Sequence, residues 1–201
     1  VQKLIFLFGR KPGLSHDEFA RHYLEVHAPL GRRVTRAMAG YVVNLVERAD
    51  EKDSNLPELD AITEIWTPSV EEFFDPAHAF TSPADGRELM ADHDSFIGPM
   101  HAYLVTEPVV EEVEPGAPAT GARTPGVKHM ALVGSEGTGA SAGDVVVRAL
   151  TPDAPEVAAI VVVRAPTLDD LDQRSPAPGY LVAEHVMVTP SPQRDGGGRA
   201  R

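Results

Sequence analysis

Ser15-His16-Asp17-Glu18-Phe19-Ala20-Arg21-His22-Tyr23-Leu24-Glu25-Val26-His27-Ala28-Pro29-Leu30 sets the architecture of the chain. Ser15, followed three residues later by Glu18, makes a capping box in which each side chain satisfies the other's backbone donor, so a helix starts there. Asp17 and Glu18 sit at its positive end. Phe19, Tyr23, Val26, Leu30 and Val34 recur at three- and four-residue spacing and lay one apolar stripe along it. Pro29 removes a backbone donor and crowds the preceding turn, so the helix is expected to bend or break near His27.

Upstream, Lys3 to Phe8 is a short apolar run ending at Gly9, which reads as a buried strand, and Lys11-Pro12-Gly13 forces a turn. Downstream, Gly40 closes the helix, and Tyr41 to Val46 and Asp60 to Trp66 read as a second and a third strand with a polar loop between them. Ser69 and Glu72 form another capping box. The following helix is expected to be broken from Phe73 to Pro83, to resume from Gly86 to Phe96 and to stop at Gly98-Pro99. Ala102 to Val110 is the fourth strand. The order β-α-β-β-α-β is that of a ferredoxin-like α+β unit, an antiparallel sheet with both helices on one face.

From Glu111 onward the composition turns to Glu, Pro, Gly, Ala and Thr, which reads as a linker. An echo follows. Lys128 to Gly134 parallels Lys3 to Gly9, Arg164-Ala165-Pro166-Thr167 parallels Trp66-Thr67-Pro68-Ser69, and Tyr180 to Val186 parallels Tyr103 to Val109. The expected organisation is a first domain over 1–110, a linker over 111–126, a degenerate second copy over 127–190 and a disordered tail over 191–201. The second copy lacks room for the first helix between Gly134 and Ala159. The fold class is therefore α+β, with two ferredoxin-like units, antiparallel sheets packed as an α/β-barrel, and the second unit truncated.

Composition narrows the function. The 201 residues include no cysteine, which removes disulfides, thiolate nucleophiles and Cys-type metal sites. A net charge of -12 disfavours nucleic acid and anionic membrane as partners. No apolar run approaches the ~20 residues of a membrane span, and no signal-peptide core is visible, so the expected location is cytoplasmic. Eight histidines are present, but His22 and His27 are five apart, off one helical face, and no recognised metal spacing occurs, so no metal is expected.

The strand, then Lys11-Pro12-Gly13-Leu14-Ser15, Phe19, His22-Tyr23 and His27-Ala28-Pro29-Leu30, resembles the EthD family of the dimeric α/β-barrel superfamily. Asp60 to Trp66 and Ser82 to Phe96 resemble that family's third strand and second helix. The likeness covers about Lys3 to Val110; the Phe74-Asp75-Pro76-Ala77-His78 insertion departs from it. The resemblance implies two sheets packed face to face, formed by a homodimer or by an intrachain pseudo-dimer. It also implies chemistry without a metal or organic cofactor in many relatives, including decarboxylases, dehydratases and cyclases of apolar or aromatic, often polyketide-derived, compounds.

His27 is the first candidate for a catalytic residue, because an unperturbed imidazole both takes and returns a proton near neutrality. Tyr23, four residues earlier, is placed to orient it or to donate to an oxyanion. The plainer reading is that His27 caps a helix broken at Pro29. His78 and His93 are further catalytic candidates: Pro76-Ala77-His78 resembles a segment carrying the catalytic histidine of plant polyketide cyclases, and His93 sits between Asp92 and Asp94. For His78 the favoured reading is a surface-loop histidine, and for His93 a solvated helix face explains the pattern equally well. His22, Tyr41, Asn44, Trp66, Asp92 and Phe96 are candidates to bind substrate, with Trp66 equally at home in the core. His129 and His185, on strands of the second copy, read as structural or lining residues.

These readings predict a cofactor-independent lyase or cyclase acting on a hydrophobic small molecule through a histidine. Two alternatives stand beside it: a non-catalytic small-molecule-binding or accessory protein, and a cofactor-free or haem-assisted oxygenase.

Overall fold

The computed structural model describes residues 1–49, 57–106, 121–133, 146–157, 159–172 and 179–188. Strand β1 (Gln2–Arg10) leads into helix α1 (His16–His22) through a turn in which Leu14 N–H donates to the Lys11 carbonyl at 3.2 Å. Pro12 presets the second position of that turn, and Gly13, at a φ of 96°, takes the left-handed third position that a type II turn needs. The predicted capping box is formed in full: the Ser15 side chain accepts from the Glu18 backbone and the Glu18 carboxylate accepts from Ser15.

Past α1 the chain makes a π-helical turn (Tyr23–His27) before helix α2 (Ala28–Val34), and the Ala28 N–H reaches back five residues to the Tyr23 carbonyl. This is the distortion expected near His27. Proline has no N–H and its ring collides with the carbonyl four residues earlier, so one inserted residue opens the turn and relieves the clash. The stripe shifts with it. Phe19, Tyr23, Leu30 and Val34 are buried as expected, but Val26 is 45% exposed and His27 takes the inward position.

Then follow β2 (Gly40–Ala49), β3 (Ala61–Thr67), the short helices α3 (Val70–Phe74) and α4 (Pro76–Ala79), the longer α5 (Pro83–Phe96) and β4 (Ile97–Thr106). Helix α5 begins earlier than expected, because Ser82 caps it and Pro83 fills its first turn. Gly98 and Pro99 lie inside β4 rather than stopping a helix. The rest of the described chain gives β5 (Val127–Val133), β6 (Val146–Ala149), β7 (Ala159–Ala165), α6 (Leu168–Asp172) and β8 (Tyr180–Val188). The expected tail over 191–201 lies outside the described residues. The last part of the expected linker runs along β8, where Gly121 N–H donates to the Val186 carbonyl and Thr124 N–H to that of Glu184.

All eight strands belong to one sheet in the order β6-β4-β1-β3-β2-β8-β5-β7, with every pairing antiparallel. The stretch β4-β1-β3-β2 is ferredoxin-like, and β8-β5-β7 repeats the order of β4-β1-β3. The two stretches join edge to edge through β2 and β8 rather than by face-to-face packing alone. The end strands β6 and β7 also meet, so the sheet curls toward a barrel.

Side chains alternate across the strands. Leu4, Phe6 and Phe8 of β1 face outward with Tyr41, Val43, Leu45 and Ala61 and pack under Phe19, Tyr23, Ala28 and Phe96. Ile5 and Leu7 face inward with Ile62, Tyr103, Val105, Met130, Tyr180 and Val182. Two inward tyrosines make matching bonds, Tyr103 Oη to the Pro155 carbonyl at 2.9 Å and Tyr180 Oη to the Pro57 carbonyl at 2.8 Å.

At one end of this interior lies a chain of ions, buried except for the half-exposed Arg164. Lys3 Nζ is 2.9 Å and Lys128 Nζ 2.6 Å from the Glu64 carboxylate, and Lys128 and Arg164 reach Glu184 at 2.6 and 2.8 Å. The two lysines hold the Glu64 carboxyl well below its ordinary range despite its burial. Removing one partner from such a group strands an uncompensated charge and typically costs about 3–5 kcal/mol.

Candidate functional site

A cavity of about 690 Å³ opens on the outer face of the sheet, beneath the π turn, α2 and α5. Its walls are mainly apolar: Phe6, Phe8 and Ile65 from the strands, Phe73, Phe74 and Phe80 from the α3–α4 region, and Leu89 and Met90 from α5. Phe73 and Phe74 meet edge to face at 5.3 Å and both lie against Phe6, at 6.1 and 6.4 Å. Gly86 permits close packing here, since a Cβ at that position would lie 2.6 Å from the Phe80 ring.

Four of the residues singled out from the sequence line this space: Tyr23, His27, Tyr41 and His93. The π turn is the element that aims His27 inward. Its Nδ1 lies 2.8 Å from Asp92 Oδ2, and the other Asp92 oxygen lies 2.8 Å from His22 Nε2. A carboxylate only accepts, so with neutral His27 the Nδ1 carries the proton and Nε2 keeps its lone pair. Burial pushes the His27 pKa down to about 4, with Asp92 opposing the shift. The imidazole is therefore neutral at pH 7. His93 stands 6.0 Å from His27 between ring centres, and burial lowers its pKa as well. The sequence placed His93 between two carboxylates, yet Asp92 turns to His22 and His27, and Asp94 Oδ1 is 3.6 Å away, too far for a hydrogen bond.

A hydroxyl cluster faces the two imidazoles. Tyr23 Oη is 2.6 Å from Thr63 Oγ1, and Tyr41, which lines the same space, interacts with the Tyr23 phenol. Burial pushes the Tyr23 phenol up to about 12 and raises that of Tyr41 well above its ordinary value, so both remain protonated at neutral pH.

The remaining candidates lie elsewhere. Asn44 and Trp66 point to the inner face of the sheet, Asn44 onto Glu64 and Trp66 beneath Lys3 with Val42 and Val186, because the strand alternation gives the outer face to Tyr41 and Thr63. His78 is exposed and pairs with Asp75, the residue that caps α4. His22, Asp92 and Phe96 back the cavity without lining it; Phe96 packs 5.0 Å from the His27 ring. His185 donates from Nδ1 to the Gly121 carbonyl at 2.8 Å, a structural bond, and His129 is buried.

Sequence reasoning missed the aromatic walls and Arg87, which also lines the cavity. The period of two along β1 carries the signal for Phe6 and Phe8, which share the face opposite Ile5 and Leu7. Nothing local announces Phe73 or Phe74, because they enter from a segment the sequence shows only as broken. Among the described residues no three His, Asp or Glu side chains are grouped to hold a metal ion. No helix among them is long and apolar enough to cross a membrane.

Residues 11–100 match the family model described as the EthD domain. No curated protein matches the chain. The matched segment takes in the π turn, α5 and all but a few of the cavity's walls.

Proposed function

We propose, from the match of residues 11–100 to the EthD domain model, that the cavity is the active site of a cofactor-independent lyase or cyclase. His27 is the base that removes a proton next to a carbonyl of an apolar substrate. The observation that carries this reading is the Nδ1 bond from His27 to Asp92 inside an aromatic cavity. Asp92 fixes the tautomer and steadies the imidazolium as it forms, leaving Nε2 as the accepting atom. His22 occupies the other oxygen of Asp92, which limits rotation of the carboxylate.

The electron pair released by the proton moves onto the carbonyl oxygen, and the Tyr23 and Tyr41 hydroxyls are the donors suited to it. Both phenols keep their protons at neutral pH, which a donor to an enolate requires. The imidazolium then returns its proton to the departing hydroxyl in a dehydration, or to the alkoxide oxygen left when the enolate carbon closes a ring onto a second carbonyl. A dry, apolar pocket favours such steps, because each charge–dipole contact counts for more there than in water.

The test needs no native substrate. Deuterium exchange into the α-carbon of a flat apolar ketone such as 2-tetralone, followed by proton NMR, reads the first step directly. His27→Gln is expected to lower the protein-catalysed rate at least about a hundredfold, within the usual range for a general base, while the variant stays folded. A folded His27→Gln protein that exchanges as fast as the parent would reject the base, and a parent protein with no exchange above buffer would favour a binding or accessory role.

We also propose that the second unit is a reduced duplicate of the first and that the barrel forms within one chain. Three observations support this: the repeated strand order, the matching Tyr103–Pro155 and Tyr180–Pro57 bonds, and the capture of both outer strands of the first unit, β2 by β8 and β4 by β6.

A further inference from the structure

Arg87 is the one basic side chain besides histidine among the cavity's walls, and no aspartate or glutamate lines the cavity at all. That is unusual in a chain whose formal net charge is -12. The acids nearest Arg87 in sequence are committed elsewhere. Asp85 takes hydrogen bonds from Thr81 and Ser82 at 2.6 Å each and lies 3.7 Å from Arg33, and Glu88 is held by Arg33 at 3.2 Å. No carboxylate among the described residues pairs with Arg87. The two cavity imidazoles are neutral at pH 7, since burial lowers both. Arg87 is itself exposed, so its guanidinium stands at the edge of the cavity as the only standing charge among the lining residues.

Position along α5 adds a length. Arg87 and His93 are six residues apart on the same helix, a rise of about 9 Å, with Gly86, Leu89 and Met90 of the same helix also lining the cavity. We propose that Arg87 makes this cavity a receptor for flat apolar organic anions, whose carboxylate or equivalent oxygen group docks on the guanidinium about 9 Å along α5 from the end where His27 and His93 stand. Aromatic walls hold the body of the ligand. The planar fork of arginine accepts a carboxylate in two parallel hydrogen bonds, a geometry a lysine does not supply. The inference rests on the proposed function only in taking this cavity as the ligand site, and it narrows the substrate class from apolar molecules to apolar acids.

Calorimetric titration of the intact chain at neutral pH with 2-naphthoate and with 2-naphthamide, the same flat body with and without charge, tests it. The parent protein is expected to bind the acid about tenfold more tightly than the amide, as a charge-assisted pair at the cavity's edge allows. Arg87→Gln is expected to erase that preference, and Arg32→Gln, on the exposed face of α2, to keep it. The titration reads binding alone, so the result stands whether or not His27 is a base. In the parent protein the preference should shrink at high salt, a readout that needs no variant. Equal affinity for acid and amide in the parent, no binding of either, a preference that survives Arg87→Gln, or its loss in Arg32→Gln would each overturn the assignment.

Discussion

His27 illustrates how one side chain serves two ends that pull against each other. Burial keeps the ring free of a proton at neutral pH, ready to accept one, yet it makes the folded protein reluctant to carry that proton. The pKa falls from an ordinary 6.5 to about 4, so between those values the unfolded chain binds a proton that the folded chain refuses. Stability from this site is therefore complete above about pH 6.5 and drains away as the pH falls toward 4, by roughly 3 kcal/mol over the whole interval. Urea unfolding of parent and His27→Gln should show this: the parent loses stability across that window, and the variant has a flatter profile by about that amount. Identical slopes would mean the ring is not desolvated. His27 was singled out in the sequence by residue type and by resemblance, and the structure places it in the cavity wall. Its partner was not, because Asp92 arrives from 65 residues away and stands in the sequence as one of two acids beside a different histidine.

At the scale of the element, the π turn decides which residue looks inward. An unbroken α-helix through this stretch places Val26 on the apolar stripe and His27 at its edge, which is how the spacing reads. The extra residue in the turn rotates the helix below Tyr23, bringing His27 to the sheet and sending Val26 to water. Val26→Lys is accordingly expected to change the unfolding free energy by no more than about 0.5 kcal/mol, as at other exposed sites. A loss of about 2 kcal/mol or more, the scale of removing a buried aliphatic side chain, would show that Val26 is core after all. Proline announced a disturbance at the right place; its form follows from packing, which spacing rules do not encode. The capping residues were more informative. Ser15 and Ser69, both read as caps, each accept from the backbone N–H three residues on, a local bond that needs nothing from the rest of the chain.

For the whole molecule, the alternation of each strand was readable, but the destination of its inner face was not. Lys3, Glu64, Lys128 and Glu184 look like the solvated positions of half-buried strands, and they meet only because β1, β3, β5 and β8 curl around a common interior. Charges of this kind fix which strands belong together more than they stabilise the assembly. Because the outer strands β2 and β4 are both taken up within the chain, light scattering on the purified protein is expected to give the mass of one chain, 21.6 kDa, at micromolar concentration. A stable mass of twice that value would place a further interface outside the barrel seam or reopen the seam itself.

The union of β2 with β8 also carries a kinetic consequence. About 140 residues separate Val42 from Val186, two residues paired across this ladder. While a ribosome is still making that distance, the emerging first half holds a bare, aliphatic hydrogen-bonding rim, the form of surface that recruits chaperones or sticks to a neighbour. Closing so long a loop is slow, and the rate at which newborn chains escape aggregation is expected to follow how quickly β8 finds β2.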